Sequence, residues 1–339
     1  MFTKYKIFAE NLASATAVKI ATSGDDVLSK NNFLGKKIKQ QISFTPYIYN
    51  PCSARCLFCS EKITRLNQTS HPNHTLSSDY FEKLNKILNN LKDTSLFLSI
   101  SGMEPLESLE HLDNVLDCFD THAENGGKIA EKVIYSNLSA LAWQPQKVID
   151  LIQRHNINRI ETSRHHYNED KNQEIAKFRD GYDIKQNSHY VKAINLLNNY
   201  LNVKLACVLQ KNGINSVTEA ENYINWAGNA GITNITFREF SMLGEHFNKN
   251  AVTDYINNNR VDILSIIQSL SDNFKLLEIT EGYYFISFKF LYKNKATVYF
   301  EASDYKEMIK QHNSDIIHKL IYYPNAHLCM DWNMQQRIY

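Results

Sequence analysis

Between about residues 42 and 240, the apolar positions of this chain switch repeatedly between two periods. Short runs rich in β-branched and aromatic residues read as strands: ISFTPYIY (42–49), LFLSIS (96–101), KVIYSN (132–137), RIETSR (159–164), VKLACVLQ (203–210) and NITFREF (234–240). Between them lie amphipathic segments such as DYFEKLNKILNNLK, ESLEHLDNVLDCFDTH, QPQKVIDLIQRH, SHYVKAINLLNNYL and SVTEAENYINWAGNAG. In the second of these Leu109, Leu112, Val115 and Leu116 recur at helical spacing, giving one apolar stripe to lay on a sheet. Six strand-helix repeats predict an α/β fold, a partial (β/α)6 TIM-like barrel of parallel strands. Right-handed crossovers would then gather ligand-binding groups at the C-terminal strand ends.

After residue 240 the pattern changes. A helix near 254–271 precedes YYFISFKFLY and KATVYFEA, which are joined by Lys293-Asn294 and read as an antiparallel hairpin. The expected organisation is an N-terminal extension (1–41), a core domain (42–240) and a C-terminal α+β extension (241–339) that covers the barrel and contributes to the substrate pocket. No internal repeat or low-complexity tract interrupts it.

Composition narrows the classes. At 339 residues the chain suits one large domain with an appendage. With 43% hydrophobic residues, 19 Tyr and 17 Phe there is material for a large core. Lys and Arg number 37 against 36 Asp and Glu, so no broad basic face is expected and nucleic acid is disfavoured as a partner. No run of eighteen apolar residues predicts a spanning helix, and Glu10-Asn11 interrupts any signal-peptide core. Few, clustered cysteines fit a reducing, cytoplasmic location.

Three of the six cysteines stand together in YNPCSARCLFCSEKITR, as Cys52-x3-Cys56-x2-Cys59, directly after the first strand and behind Pro51. Thiolates so spaced can converge on one soft metal centre. A structural zinc would need a fourth ligand, for which Cys118, Cys207, Cys329, His71 and His74 are the candidates. An iron-sulfur cluster held by three thiolates would instead leave one iron open for chemistry.

The cysteine spacing, with Phe58 before the last cysteine, resembles the signature of the radical S-adenosylmethionine (radical SAM) enzyme superfamily. The resemblance implies a 4Fe-4S cluster on Cys52, Cys56 and Cys59. Its open iron would chelate the amino and carboxylate groups of S-adenosyl-L-methionine, whose reductive cleavage gives a 5'-deoxyadenosyl radical. SGMEP (101–105) is similar to the family's GGEP motif, which implies that Gly102, Met103, Glu104 and Pro105 hold the methionine end. By position in the family, Asn137 of YSN, Ser163 and Arg164 of ETSR, Leu209 of VLQKNGI and Arg238 of TFRE would complete the cofactor bed, with Phe58 beside the adenine. The match spans about residues 42–240.

Other residues have plainer readings. Cys118 lies on an apolar helix stripe and reads as core. Cys207 and Cys329 are candidate hydrogen donors to a substrate radical, Cys329 if the aromatic tail folds over the barrel mouth. His165 and His166 could face the substrate, while Tyr322, Tyr323 and Trp332 read as cover packing. No cysteine-rich C-terminal module for auxiliary clusters is evident. This favours a small polar, sugar- or nucleoside-like metabolite undergoing epimerisation, elimination, rearrangement or decarboxylation, with flavodoxin or ferredoxin as reductant. The alternatives are radical modification of a ribosomally made peptide or, outside the class, a non-catalytic iron-sulfur or zinc protein.

Overall fold

The computed structural model describes residues 2–23, 27–50, 52–66, 76–244, 247, 249–332 and 336–339; Pro51, His71 and His74 lie outside them. Its strands are β1 (Ile20–Thr22), β2 (Leu28–Phe33), β3 (Lys36–Ile48), β4 (Ser95–Gly102), β5 (Lys128–Ser136), β6 (Arg159–Ser163), β7 (Asn202–Val208), β8 (Asn234–Arg238), β9 (Phe274–Glu281), β10 (Phe285–Tyr292), β11 (Ala296–Ser303), β12 (Ile316–Tyr322) and β13 (Leu328–Cys329). The strands β3 to β8 stand side by side in chain order and all pair in parallel. They are the six strands expected from the apolar pattern, each followed by its crossover helix.

The C-terminal segment adds strands to both edges of this sheet. β11 pairs parallel with β8, and β12 pairs parallel with β3. The sheet therefore carries eight adjacent parallel strands in the order β12-β3-β4-β5-β6-β7-β8-β11. Yet β11 and β12, at opposite ends of that order, are joined only through the helix Tyr305–His312. Eight flat strands would be about 34 Å across at ~4.8 Å per spacing. The eight-residue helix reaches only about 12 Å, with roughly four more residues to add. The sheet must curl to bring its edges together, and no pairing joins β11 to β12 among the described strands. The result is an open barrel.

Alternation along the strands gives the curled sheet two unlike faces. On β7, Leu205 and Cys207 turn outward into the main core with Tyr223 of the helix Val217–Asn229, while Lys204 turns inward. Phe237 and Phe300 stack on the outer side at 5.3 Å, and Arg238 and Glu301 pair on the inner side. The outside is an apolar helix-sheet interface, whereas the lumen is polar.

The remaining pieces fasten onto this frame. The hairpin β10–β11 turns at Lys293 and Asn294, both with positive φ (48° and 57°), as a two-residue hairpin turn requires. The expected helix near 254–271 is two helices, Ala251–Asn259 and Ile263–Ile267. The break comes where Asp262 caps the second by accepting from Leu264 N–H. The N-terminal stretch forms the helix Thr3–Thr16, whose buried Tyr5 hydroxyl reaches both carboxylate oxygens of Glu239 at 2.9 Å. Among the described residues no helix is long and apolar enough to cross a membrane.

Candidate active site

At the C-terminal end of β3 the chain leaves the sheet as the cysteine loop and re-enters regular structure in the helix Ser60–Leu66. Backbone hydrogen bonds fix the loop from outside. Arg55 N–H donates to Ala176 O and Lys177 O at 3.0 and 3.1 Å, Leu57 N–H to Ile175 O at 3.1 Å, and Arg179 N–H to Ser53 O at 2.9 Å. Cys52, Cys56 and Cys59 are free thiols, each half-buried.

Their electrostatics suit a metal centre. Burial raises all three thiol pKa values, that of Cys56 up to about 12, and neighbouring sulfurs and acids add to the effect. Only thiolates ligate metals, so a bound cation is what would ionise such a set.

Beside the loop, β4 ends in Gly102, whose φ is +132°. A Cβ there would fall 2.2 Å from Ile48 O, so only glycine lets β4 close on the end of β3. Met103 N–H donates to that same carbonyl at 3.1 Å. Next, buried Glu104 accepts from Ser136 Oγ at 2.5 Å and Asn137 N–H at 2.7 Å. Burial pushes its pKa up to about 8, against the lowering effect of these two donors. Pro105, also buried, opens a 3₁₀ turn. Asn137 ties the pieces together, its side-chain amide reaching Ser53 Oγ at 2.9 Å and Cys52 Sγ at 3.5 Å. The ends of β3, β4 and β5 are thus one hydrogen-bonded unit.

Phe58 meets the imidazole of His165 and the ring of Phe240 edge-on, at 4.8 and 5.2 Å between centroids. Ile63, Val208, Val252 and Ile256 complete an apolar cluster, partly supplied by the helix Ala251–Asn259. His165 Nδ1 accepts from Val208 N–H at 3.3 Å, and burial, aided by Arg164, lowers its pKa to about 3. A neutral imidazole therefore stands beside Phe58. His166 turns away, accepting from Asn168 N–H at 2.9 Å.

The structure does not bring every expected residue here. Thr162 reaches outward to Tyr190 of the helix Asn187–Leu197, so Ser163 points into the lumen, where it is exposed. The next residue, Arg164, is fully buried on the helix side. Its guanidinium donates to Ile184 O, Lys185 O and Asn187 Oδ1 at 3.2, 2.8 and 2.5 Å and lies 4.9 Å from the Tyr190 ring centroid. Strand alternation accounts for the difference, since it does not aim two successive side chains at one ligand. Leu209 is likewise core, and Val208 is the residue that joins the Phe58 cluster. Cys207 faces outward, its thiol 3.5 Å from His165 O, away from any substrate in the lumen. Cys329 lies on the inner side, in a cluster with Tyr47, Ile321 and Tyr323.

Arg238 faces the lumen, not the cysteine loop. It bridges Glu161 at 2.5 Å and Glu301 at 2.9 Å, with Lys204 at 3.8 Å from Glu301 and 4.1 Å from the Tyr299 ring centroid. Arg238 keeps 37% of its side-chain surface accessible. Further round, Lys319 lies 5.2 Å from the Trp332 ring centroid and 5.9 Å from that of Tyr284. Glu161, Glu301 and Lys319 were not foreseen as site residues. Their signal is a charged residue inside a β-forming run, as in KATVYFEAS.

No family model matches the chain, and no curated protein matches it. Among solved structures it is similar to Streptococcus suis SuiB bound to S-adenosylmethionine, with 14% identity, TM-score 0.48, and coverage of 87% of this chain and 61% of that one. It is also similar to native anSMEcpe with bound AdoMet, at 14% identity and TM-score 0.44 over 66% of this chain and 64% of that one. A third is coproporphyrinogen III oxidase (HemN) from Escherichia coli, a radical SAM enzyme, at 8% identity and TM-score 0.43 over 77% and 68%. The chain spans about half to three fifths of the SuiB chains.

Proposed function

We propose that this chain is a radical SAM enzyme acting on a small polar substrate held in the barrel lumen. The observation that carries the reading is the junction at the ends of β3, β4 and β5. There the cysteine loop, the Gly102–Pro105 turn and Asn137 are locked together. Cys52, Cys56 and Cys59 would hold a 4Fe-4S cluster. When bound, the cluster supplies the electron that splits S-adenosylmethionine.

The chain's own residues do the rest. Gly102 keeps the backbone beside the cysteines free of any Cβ, so a methionine-like end group can lie close to it. Phe58, Val208 and Phe240 offer an apolar surface to an adenine, and uncharged His165 adds no charge there. In the lumen, Arg238 held between Glu161 and Glu301 presents fixed donors and acceptors, and Tyr284 and Trp332 supply ring faces. Such a mixture suits a hydroxylated, sugar- or nucleoside-like molecule. We assign Cys329 as the hydrogen donor, because it lies on the inner side of the sheet, whereas Cys207 faces outward. Cys56→Ala tests the assignment: iron and S-adenosylmethionine cleavage should be lost while far-UV circular dichroism keeps the barrel signature. Retained cleavage contradicts it.

A further inference from the structure

Two short 3₁₀ turns, Ser139–Ala142 and Asp183–Lys185, border a cavity of about 280 Å³ lined by Ala142, Trp143, Gly181, Tyr182 and Asp183. None of these five residues belongs to the cysteine-loop junction or the lumen. Both walls are fixed from behind. Trp143 N–H donates to Ala140 O at 3.2 Å, and Ser139 Oγ donates to Glu107. On the other side Ile184 O and Lys185 O accept from the Arg164 guanidinium. Gly181, at a φ of 84°, turns the chain into Tyr182. Walls held in this way stand ready before any ligand arrives, which lowers the cost of binding.

The lining has an unusual composition for a surface. Trp143 is 58% exposed, the largest exposure among the large hydrophobic residues, whereas Trp226 packs on Tyr190 and Tyr223, and Trp332 on Tyr47. Among the described residues no ion pair, hydrogen bond or ring contact engages the side chains of Trp143 or Asp183, or the Tyr182 hydroxyl, and no cationic side chain lines the cavity. Indole and phenol rings attract a cation through their electron-rich faces, and the carboxylate supplies a full counter-charge. A metal ion is disfavoured, because calcium or magnesium needs about six oxygen ligands and only one carboxylate is offered. The volume lies just under the ~300–1,000 Å³ of small-molecule sites, so it admits one small headgroup and not a helix or strand.

We infer that this cavity binds the methylated or quaternary ammonium group of a small molecule, with the cation held by Trp143 and Tyr182 and balanced by Asp183. The inference is independent of the proposed function, since it needs neither cluster nor S-adenosylmethionine.

The probe is choline, titrated into the full chain and followed by tryptophan fluorescence and calorimetry. One saturable site per chain is expected, weakening as salt screens Asp183. Trp143→Ala should lower the affinity at least about tenfold and Asp183→Asn at least about fivefold. Both side chains are exposed, so far-UV circular dichroism should be unchanged. The alcohol 3,3-dimethylbutan-1-ol, which has the shape of choline without its charge, should bind at least about tenfold more weakly. Equal affinity for that alcohol would reduce the site to apolar contact and overturn the inference. Choline affinity unchanged in both variants, or no saturable binding at millimolar choline, overturns it as well. N-acetyl-lysine amide bound as tightly as choline would assign the cavity to a protein's lysine side chain and contradict the methylated ligand.

Discussion

The side-chain amide of Asn137 lies 3.5 Å from the sulfur of Cys52, joining the end of the third parallel strand of the core to the first cysteine of the loop. The same residue's N–H is held by Glu104 at 2.7 Å. A thiol, an amide and a carboxyl from three strand ends therefore share one network. Asn137→Ala should leave the barrel folded but loosen Cys52. The expected result is a cluster lost several-fold faster to an iron chelator than in wild type, followed by its visible absorbance. Asn137→Asp, which keeps the shape but loses the donors, should behave like the alanine variant.

Gly102→Ala sets a Cβ 2.2 Å from Ile48 O at a φ of +132°. The clash is with backbone, so no side-chain rearrangement can relieve it. A loss of at least about 3 kcal/mol is expected, from positive-φ strain plus overpacking. Urea denaturation measures it, and a loss under about 1 kcal/mol would show that the β3–β4 junction is not closed as described.

Arg164→Met removes the guanidinium donors to Ile184 O, Lys185 O and Asn187 Oδ1. Stability should fall by about 3 kcal/mol, because buried acceptors are left unpaired. S-adenosylmethionine affinity of the folded fraction should change by less than about twofold. A tenfold loss of affinity in the milder Arg164→Lys, at unchanged stability, would instead place the guanidinium on the cofactor's carboxylate.

Burial lowers the pKa of both His165 and His312 from 6.5 to about 3. The unfolded chain binds their protons below about pH 6.5 and the folded chain does not. Stability is therefore full above that pH and falls as pH drops toward 3, by up to about 1.4 kcal/mol per pH unit for each histidine. Between pH 7.5 and 5 the two together should cost about 4 kcal/mol. His165→Gln should remove about 2 kcal/mol of the loss in urea titrations at the two pH values.

Six parallel strands, their helices and the hairpin turn at Lys293-Asn294 were legible because strand period, helix period and turn chemistry are local signals. The cysteine loop and the Gly102 turn were legible for the same reason. Orientation was harder. Ser163 and Arg164 are neighbours in sequence but lie on opposite faces of the sheet, and the pair reads as one unit until alternation separates it. The insertion of β11 beside β8 and β12 beside β3 depends on long-range pairing, which no local pattern encodes. For that reason the bridge from Arg238 to Glu301, formed across the new edge, could not be read from either strand alone.

The most direct test of the central claim is anaerobic reconstitution of the wild-type chain with iron and sulfide, followed by dithionite and S-adenosylmethionine. The account predicts a brown protein with four irons per chain, held only while Cys52, Cys56 and Cys59 are present, that releases 5'-deoxyadenosine. A colourless protein that retains one zinc and leaves S-adenosylmethionine intact would contradict it.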